Sequence, residues 1–401
     1  MRVAVVGAGI AGTLTSHYLF EHGCEVTVFD RANSPASESS RANGGQLSYS
    51  FCDAMADPQL LRKLPGIMLR QDPAFQIRPS LSREFLTWGV KFLGQCTQAR
   101  RDKNTNTLLA LSKRSAELMQ DLTQAFGDPK VITRAGKLVL LNADPDTELE
   151  RRVKLKNAQG FDVRILNTQE LLALEPSIEQ FKEQPRAAIY SPDDEVGNAH
   201  TFIGCMAKSL QAKGVNFQFD QEIRAIDKTG SGQRITTKDD ELEFDAVIVA
   251  TGKDLSLLNR LGLRLPILSM SGYSWSFPAI ESSPTISITA LAQRLVFSRI
   301  DDIVRVAGFA DVNLKEDKML SRAHVLKTLA STIAPHAADY DSPVSAPWHG
   351  VRAMTPDSTP IVGKTTLPSV YVNLGHGMLG WTLGAATSEL VANAVVQNRD
   401  L

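Results

Sequence analysis

The chain begins "MRVAVVGAGIAGT", and this opening limits the fold more than any other stretch. Gly7, Gly9 and Gly12 stand in the spacing G-x-G-x-x-G. Alone, that spacing decides little, because glycines recur in many turns. Its flanks decide more. "RVAVV" is a short β-branched run of the kind found in buried parallel strands. Ile10, Leu14, Tyr18 and Leu19 then recur at helical spacing, and Gly23 stands where that helix should stop. "EVTVFD" follows as a second strand ending in Asp30. Together they make a β-α-β unit of about 30 residues. Gly7 permits the tight turn, Gly9 lets backbone approach a pyrophosphate, and Gly12 lets the helix pack closely on the strand. With Ala8, Ile10 and Ala11 they present the helix N-terminus to phosphate. Asp30, followed by Arg31, is placed to accept hydrogen bonds from ribose hydroxyls.

Bulk properties set limits around this unit. A chain of 401 residues is long for one core, so two domains are expected. A net charge of -1 gives no electrostatic reason for a nucleic-acid partner. Cys24, Cys52, Cys96 and Cys205 are scattered, so neither a disulfide framework nor a metal site is expected. No apolar run approaches the roughly 18 residues of a membrane span. The first strand begins at Arg2, and loss of a signal peptide would destroy it; a cytoplasmic location is expected.

Along the chain, "RANSPASESSRANGGQ" reads as a polar loop. Residues 58–127 read as mostly helical, "RAGKLVLLN" as a strand and "TELERRVKLKNAQG" as a helix stopped at Gly160. "NTQELLALEPSI" reads as a short capped helix ended by Pro176. "TFIGCMAKSLQAKG" leads into the strand "VNFQFD". "QRITTKDDELEFDAVIVATG" reads as a hairpin whose last strand is Ala246 to Ala250. A strand-rich stretch covers 265–311. The tail offers the strand "VYVNLG", the loop "GHGMLG" (375–380) and a helix to about Gln397. No second G-x-G-x-x-G occurs, so one dinucleotide is expected. A parallel sheet gathered from distant segments, with an antiparallel domain inserted, fits FAD better than NAD. The expected class is α/β: a Rossmann-like FAD-binding domain (1–52, 191–255 and 345–401) with an inserted α+β substrate domain (53–190 and 256–344) on a mixed or antiparallel sheet.

Four stretches carry a family likeness: "VAVVGAGIAGTLTSHYL", "SSRANGGQLS", "GYSWSF", and the long run from His349 to Val395 that begins "HGVRAMTPDSTPIVG". Through them the chain resembles the FAD-dependent D-amino-acid oxidase superfamily, most of all its bacterial D-amino-acid dehydrogenase branch. The resemblance implies oxidation of a D-amino acid by hydride transfer to non-covalent FAD, giving a 2-oxo acid and ammonia. It places Ser40, Arg41, Asn43, Gly44, Gly45 and Gln46 along the pyrophosphate toward the isoalloxazine, with Arg41 neutralising phosphate. Ile223 meets the adenine, and Ala250, Thr251 and Gly252 form a turn beside the cofactor. Gly375, His376, Gly377, Met378, Leu379 and Gly380 bring a helix N-terminus to the flavin's pyrimidine end, where its dipole favours the reduced, anionic ring.

The same resemblance makes Arg352 the carboxylate anchor. The alternative is a structural arginine paired with Asp357. Tyr273 is expected over the substrate, with Tyr49 a weaker candidate; the alternative is that Tyr273, Trp275 and Phe277 form one packed strand face. His376 is a further catalytic candidate, or a loop histidine held by one hydrogen bond. The chain departs from its relatives in three places. "GVRAM" stands for the usual "GLRP". The arginine that glycine oxidases carry at Met378 is missing. No cysteine lies near Gly350, where sarcosine oxidases attach the flavin. Two other readings stay open: an oxidase or dehydrogenase of glycine, N-methyl or cyclic imino acids, and a flavoprotein electron-transfer subunit with no amine substrate. A quinone or an electron-transfer protein is the expected acceptor. "LLRKLPGIMLRQDPAF" is either a peripheral membrane contact or a helical cover for the substrate domain.

Overall fold

The computed structural model describes every residue except 62–65, 67–73, 128–130, 231, 315–317 and 398–401. Most of "LLRKLPGIMLRQDPAF" therefore lies outside the described residues.

The opening motif forms as its pattern requires. Strand Arg2–Val6 is followed by helix Ile10–Glu21 and strand Glu25–Phe29. Both strands are buried beyond their first residue, because parallel strands are covered on both faces. The sheet has six strands in the order Asn216–Gln218, Glu25–Phe29, Arg2–Val6, Ala246–Val249, Val370–Leu374, Ile361–Lys364. The first five run parallel, and Ile361–Lys364 closes the edge antiparallel. From the central strand the chain builds outward to one side through Glu25–Phe29, while the other side is added by segments more than two hundred residues later. That reversal is a topological switch point, and such sheets take ligands at the carboxyl ends of the strands there.

A nine-stranded sheet forms the second layer. It includes Trp348–Met354, Leu268–Pro278, Ile303–Val312, Ser287–Ala290 and Lys137–Leu141. It is mixed: Ser287–Ala290 pairs parallel with Lys137–Leu141, and most other neighbours are antiparallel. The short helix Thr168–Leu174 carries a full capping box between Asn167 and Glu170, as its sequence foretells.

Three expectations are corrected. The run "QRITTKDDELEFDAVIVATG" is not one hairpin with three strands. Gln233–Thr236 and Glu241–Phe244 pair in a separate small sheet, while Ala246–Val249 leaves them to sit beside Arg2–Val6. Four consecutive apolar residues suit the doubly covered centre of a sheet, not an exposed hairpin. Second, the domain boundary at 345 falls too early. Trp348–Met354 pairs with Leu268–Pro278 in the substrate sheet, so the chain returns to the nucleotide domain only after Met354. Third, helix Gln98–Phe126, assigned to the substrate domain, gives Leu118, Met119, Leu122 and Phe126 to the core around helix Ile10–Glu21.

Candidate functional site

The glycine loop is shaped by contacts that only glycine allows. Gly7 has φ +108, and a Cβ there would stand 2.5 Å from the Ala250 carbonyl oxygen. A Cβ on Gly12 would stand 1.7 Å from the Gly7 carbonyl oxygen, so the helix could not approach its strand. At Gly9 the nearest atom would be Ser40 Oγ at 3.5 Å, which leaves room for a ligand.

The loop opens onto a cavity of about 800 Å³ that runs from Gly7 and Asp30 to Tyr273 and Arg352. Of the expected cofactor residues, Gly7, Gly9, Ile10, Ala11, Asp30, Arg31, Ser40, Asn43, Gly44, Gln46, Ile223, Ala250, Thr251 and Gly252 line it, as do all six residues of the 375–380 loop. Asp30 is already engaged: its carboxylate accepts from the Ala8 N–H at 2.6 Å and the Ala32 N–H at 2.8 Å. It therefore braces the glycine loop while facing the cavity. Burial raises its pKa, and those two N–H groups oppose the rise. Arg31 is paired with Glu38 and with Asp254, the latter at 2.8 Å.

The loop after Asp30 is held from behind by the substrate sheet. Ser274 Oγ donates to the Ala42 carbonyl at 2.5 Å, Arg305 Nη1 to the Asn43 carbonyl at 3.2 Å, and Ser298 Oγ to the Gly44 carbonyl at 2.7 Å. Three successive carbonyls are thus engaged by the substrate sheet. Burial lowers the Arg305 pKa to about 10. Ser274, Ser298 and Arg305 were not singled out in the sequence. The strand pattern places them in the sheet, but only cross-strand register shows that they meet this loop.

Five expected residues do not line the cavity. Ala8 and Gly12 act through backbone and packing, as described. Arg41 is exposed, with its guanidinium 5.0 Å from the centre of the Trp348 ring, so neutralising phosphate is not its placement here. Gly45, at φ +76, packs against the substrate sheet; a Cβ would meet Ile300 Cδ1 at 2.9 Å. Tyr49 is buried, and its hydroxyl donates to Glu195 Oε2 at 2.8 Å. That ion-dipole bond holds it away from the cavity, so it is corrected from a substrate group to a core residue.

At the far end stand Arg352 and Tyr273. Arg352 Nη1 donates to the Phe309 carbonyl at 2.7 Å. Among the described residues no carboxylate lies within ion-pair distance of its guanidinium, and burial lowers its pKa. Asp357 instead accepts from the Thr359 N–H at 3.1 Å, so a pair between Arg352 and Asp357 is not formed. Asp311, the buried acid whose charge reaches Arg352, is spent on a two-bond pair with Arg322 at 2.7 and 2.9 Å. Tyr273 lines the cavity, and its buried hydroxyl has no well-formed hydrogen bond. Burial first, and Asp311 second, push its pKa upward, so it stays a neutral donor. Tyr273, Trp275 and Phe277 share one packed core, as the alternative reading has it, and of the three only Tyr273 also lines the cavity. His376 bonds Thr387 Oγ1 at 2.9 Å, and burial brings its pKa down to about 4. It is a neutral ring at pH 7.

These residues fit FAD. The glycine cradle has no room for side chains, an acid stands at the end of the second strand, and helix Gly380–Gln397 begins at the cavity. Beside that helix start, Trp381 Nε1 and Asn373 Oδ1 are buried, line the cavity and lack partners, as expected where a polar ring is to lie. Among the described residues no cysteine lines the cavity, and no His, Cys, Asp or Glu cluster is arranged for a metal.

Comparison with known proteins agrees with this geometry. The chain is 33% identical over 411 residues to "D-amino acid dehydrogenase 2" of Ralstonia nicotianae, covering 99% of this chain and 97% of that protein. It is 30% identical over 405 residues to the D-amino acid dehydrogenase of Vibrio atlanticus, covering 98% and 96%. The fold resembles the crystal structure of glycine oxidase from Geobacillus kaustophilus, with a TM-score of 0.75 at 19% identity over 100% of this chain and 96% of that one. The family model described as DAO, FAD dependent oxidoreductase, matches residues 2–394, and the chain belongs to that family.

Proposed function

We propose that this protein oxidises D-amino acids to 2-oxo acids and ammonia. The carrying observation is Arg352: a guanidinium with no carboxylate partner among the described residues, at the end of a cavity of about 800 Å³ that begins at the glycine loop. The full-length relatives named D-amino acid dehydrogenase support the same reading. FAD, when bound, supplies a two-electron acceptor. Everything else falls to the chain. Arg352 grips the substrate carboxylate through two parallel hydrogen bonds, which sets both distance and tilt. Tyr273 adds a hydroxyl donor and closes the pocket with its ring. The substrate amine binds neutral, as its burial requires, so no side chain has to remove the Cα proton. His376, neutral and tied to Thr387, holds the loop before the final helix.

Electrons leave for a quinone or an electron-transfer protein, with a peripheral membrane contact. Helix Arg83–Gln95 supports this part of the reading. Trp88 and Phe92 pack with cavity residues Phe75, Met270 and Met354, while Leu86, Val90 and Leu93 are exposed on the outer side beside Lys91. No described helix is long and apolar enough to cross a membrane.

The test is anaerobic mixing with D- and L-amino acids while flavin absorbance is followed, then addition of oxygen or a quinone. Bleaching by D-enantiomers and recolouring by quinone is the expected result. Bleaching only by glycine, N-methyl or cyclic substrates, or by none, rejects the proposal.

A further inference from the structure

Lys137 opens strand Lys137–Leu141 and is 4% exposed, yet it faces the cavity. Its ammonium donates to Ser48 Oγ at 2.7 Å and stands 4.6 Å from the centre of the Phe51 ring. No described carboxylate lies within ion-pair distance of it. The neighbouring Lys156, by contrast, pairs with Asp53 at 2.7 Å. Of the surrounding acids Asp194 favours the charged lysine most, and one of its own oxygens lacks a partner among the described residues. An unpaired buried ammonium is expensive, since a charge removed from water needs compensation.

Ser48 links this lysine to a second positive source. Its N–H donates to Thr382 Oγ1 at 3.1 Å, and Thr382 lies in the first turn of helix Gly380–Gln397. Ser48, Lys137 and Thr382 all line the cavity. The start of an 18-residue helix and a buried ammonium thus converge on one edge.

We infer that Lys137 stabilises the negative charge that the flavin's pyrimidine ring gains on reduction. The inference rests on the reading that this ring lies at the 375–380 loop. The electron count is as follows. A neutral amine gives up its Cα–H as hydride, its nitrogen lone pair forms the C=N bond, and an iminium leaves. The hydride brings two electrons and one proton to the ring, which ends with one extra negative charge. A fixed ammonium interacts more strongly with that product than with the oxidised ring, so it favours reduction without tightening oxidised FAD.

The test is Lys137→Met against Lys137→Arg in the FAD-loaded protein, by anaerobic dye titration of the flavin potential and by sulfite titration of flavin absorbance. Neither readout uses an amino acid, so each stands even if the substrate proposal fails. Lys137→Met is expected to disfavour reduction 10- to 100-fold, or ~30–60 mV for a two-electron couple. Sulfite affinity should fall by a similar factor and oxidised-FAD affinity by less than 3-fold. Lys137→Arg should stay within 3-fold of wild type in all three. Ser48→Ala, which releases the ammonium without removing it, should give a smaller loss in the same direction and serves if Lys137→Met does not fold. Unchanged potential and sulfite affinity overturn the inference, as does an equal loss in Lys137→Arg. A rise in KM confined to acidic substrates, with the potential unmoved, would make Lys137 a substrate group and overturn it as well.

Discussion

The guanidinium of Arg352 occupies the space a side chain on Gly272 would fill. A Cβ on Gly272 would stand 2.3 Å from Arg352 Nη2 and 2.5 Å from Cζ. The two strands are antiparallel, with Gly272 opposite Gly350 and Met270 opposite Arg352. Arg352 therefore reaches diagonally across its neighbour strand, over the one residue there that permits it. The Phe309 carbonyl then takes one N–H of Nη1, and the remaining N–H groups of the guanidinium are left for a two-bond grip on substrate.

Gly272→Ala should push the guanidinium aside while leaving the nucleotide domain intact. The expected loss in kcat/KM is roughly 10- to 100-fold, about 1.4–2.8 kcal/mol. FAD content, read from the absorbance spectrum, should stay at one per chain. Normal kinetics in this variant would show that Arg352 has room to move and that the contact is not a constraint.

Arg352→Lys retains the charge but not the planar fork. The expected drop in kcat/KM is at least about 100-fold, or ~2.7 kcal/mol of transition-state stabilisation, with melting temperature and flavin content nearly unchanged. A substrate amide should lose far less on the same change. Loss of flavin together with normal residual kinetics would assign Arg352 to the scaffold.

Asp30→Ala removes a carboxylate that lines the cavity and holds Ala8 and Ala32. Charge-assisted bonds of this kind contribute about 1.5–3 kcal/mol. FAD binding should weaken roughly 10- to 100-fold at 1.4 kcal/mol per decade. Titration of the apoprotein by flavin fluorescence checks this. Equal affinity in wild type and variant would leave Asp30 with a bracing role alone.

Asp53 sets an acid limit on stability. Burial pushes its pKa up, but Lys156 and Arg152 outweigh burial and bring it down to about 2, against an ordinary value of 3.8. The folded value is depressed, so the stabilisation is complete above about pH 4. It is lost as pH falls from there through 2. Its size is about 2 kcal/mol. Asp53→Asn should lower the melting temperature most at pH 5–7, and the gap to wild type should shrink below pH 4. A gap that is constant from pH 7 to 3 would rule this linkage out.

Much of the nucleotide half could be read without coordinates, because its signals are local. The glycine spacing, the apolar strand before it, the helical period after it and the acid at the end of the second strand all lie within thirty residues. Turn geometry and burial period act over such distances. The capped helix in "NTQELLALEPSI" was legible for the same reason. Arg352 and Arg41 were named through a family likeness, Tyr273 from its place in "GYSWSF" and Tyr49 from its place past the glycine loop; Arg352 and Tyr273 line the cavity, and Arg41 and Tyr49 do not. A residue's neighbour in the chain says which stretch approaches a cofactor. It does not say which way that side chain turns.

What the sequence determined by itself is a dinucleotide unit at the start, one cofactor and an inserted sheet. What only the tertiary structure decided is which side chains share the cavity. Gly272 admits Arg352, Ser274, Arg305 and Ser298 engage the loop carbonyls, and Ser48 joins Lys137 to the last helix. Several of these contacts span more than two hundred residues of chain. The contacts made from strands depend on register, and a shift of one residue would turn Ser274, Ser298, Arg305, Arg352 and Lys137 to the opposite face.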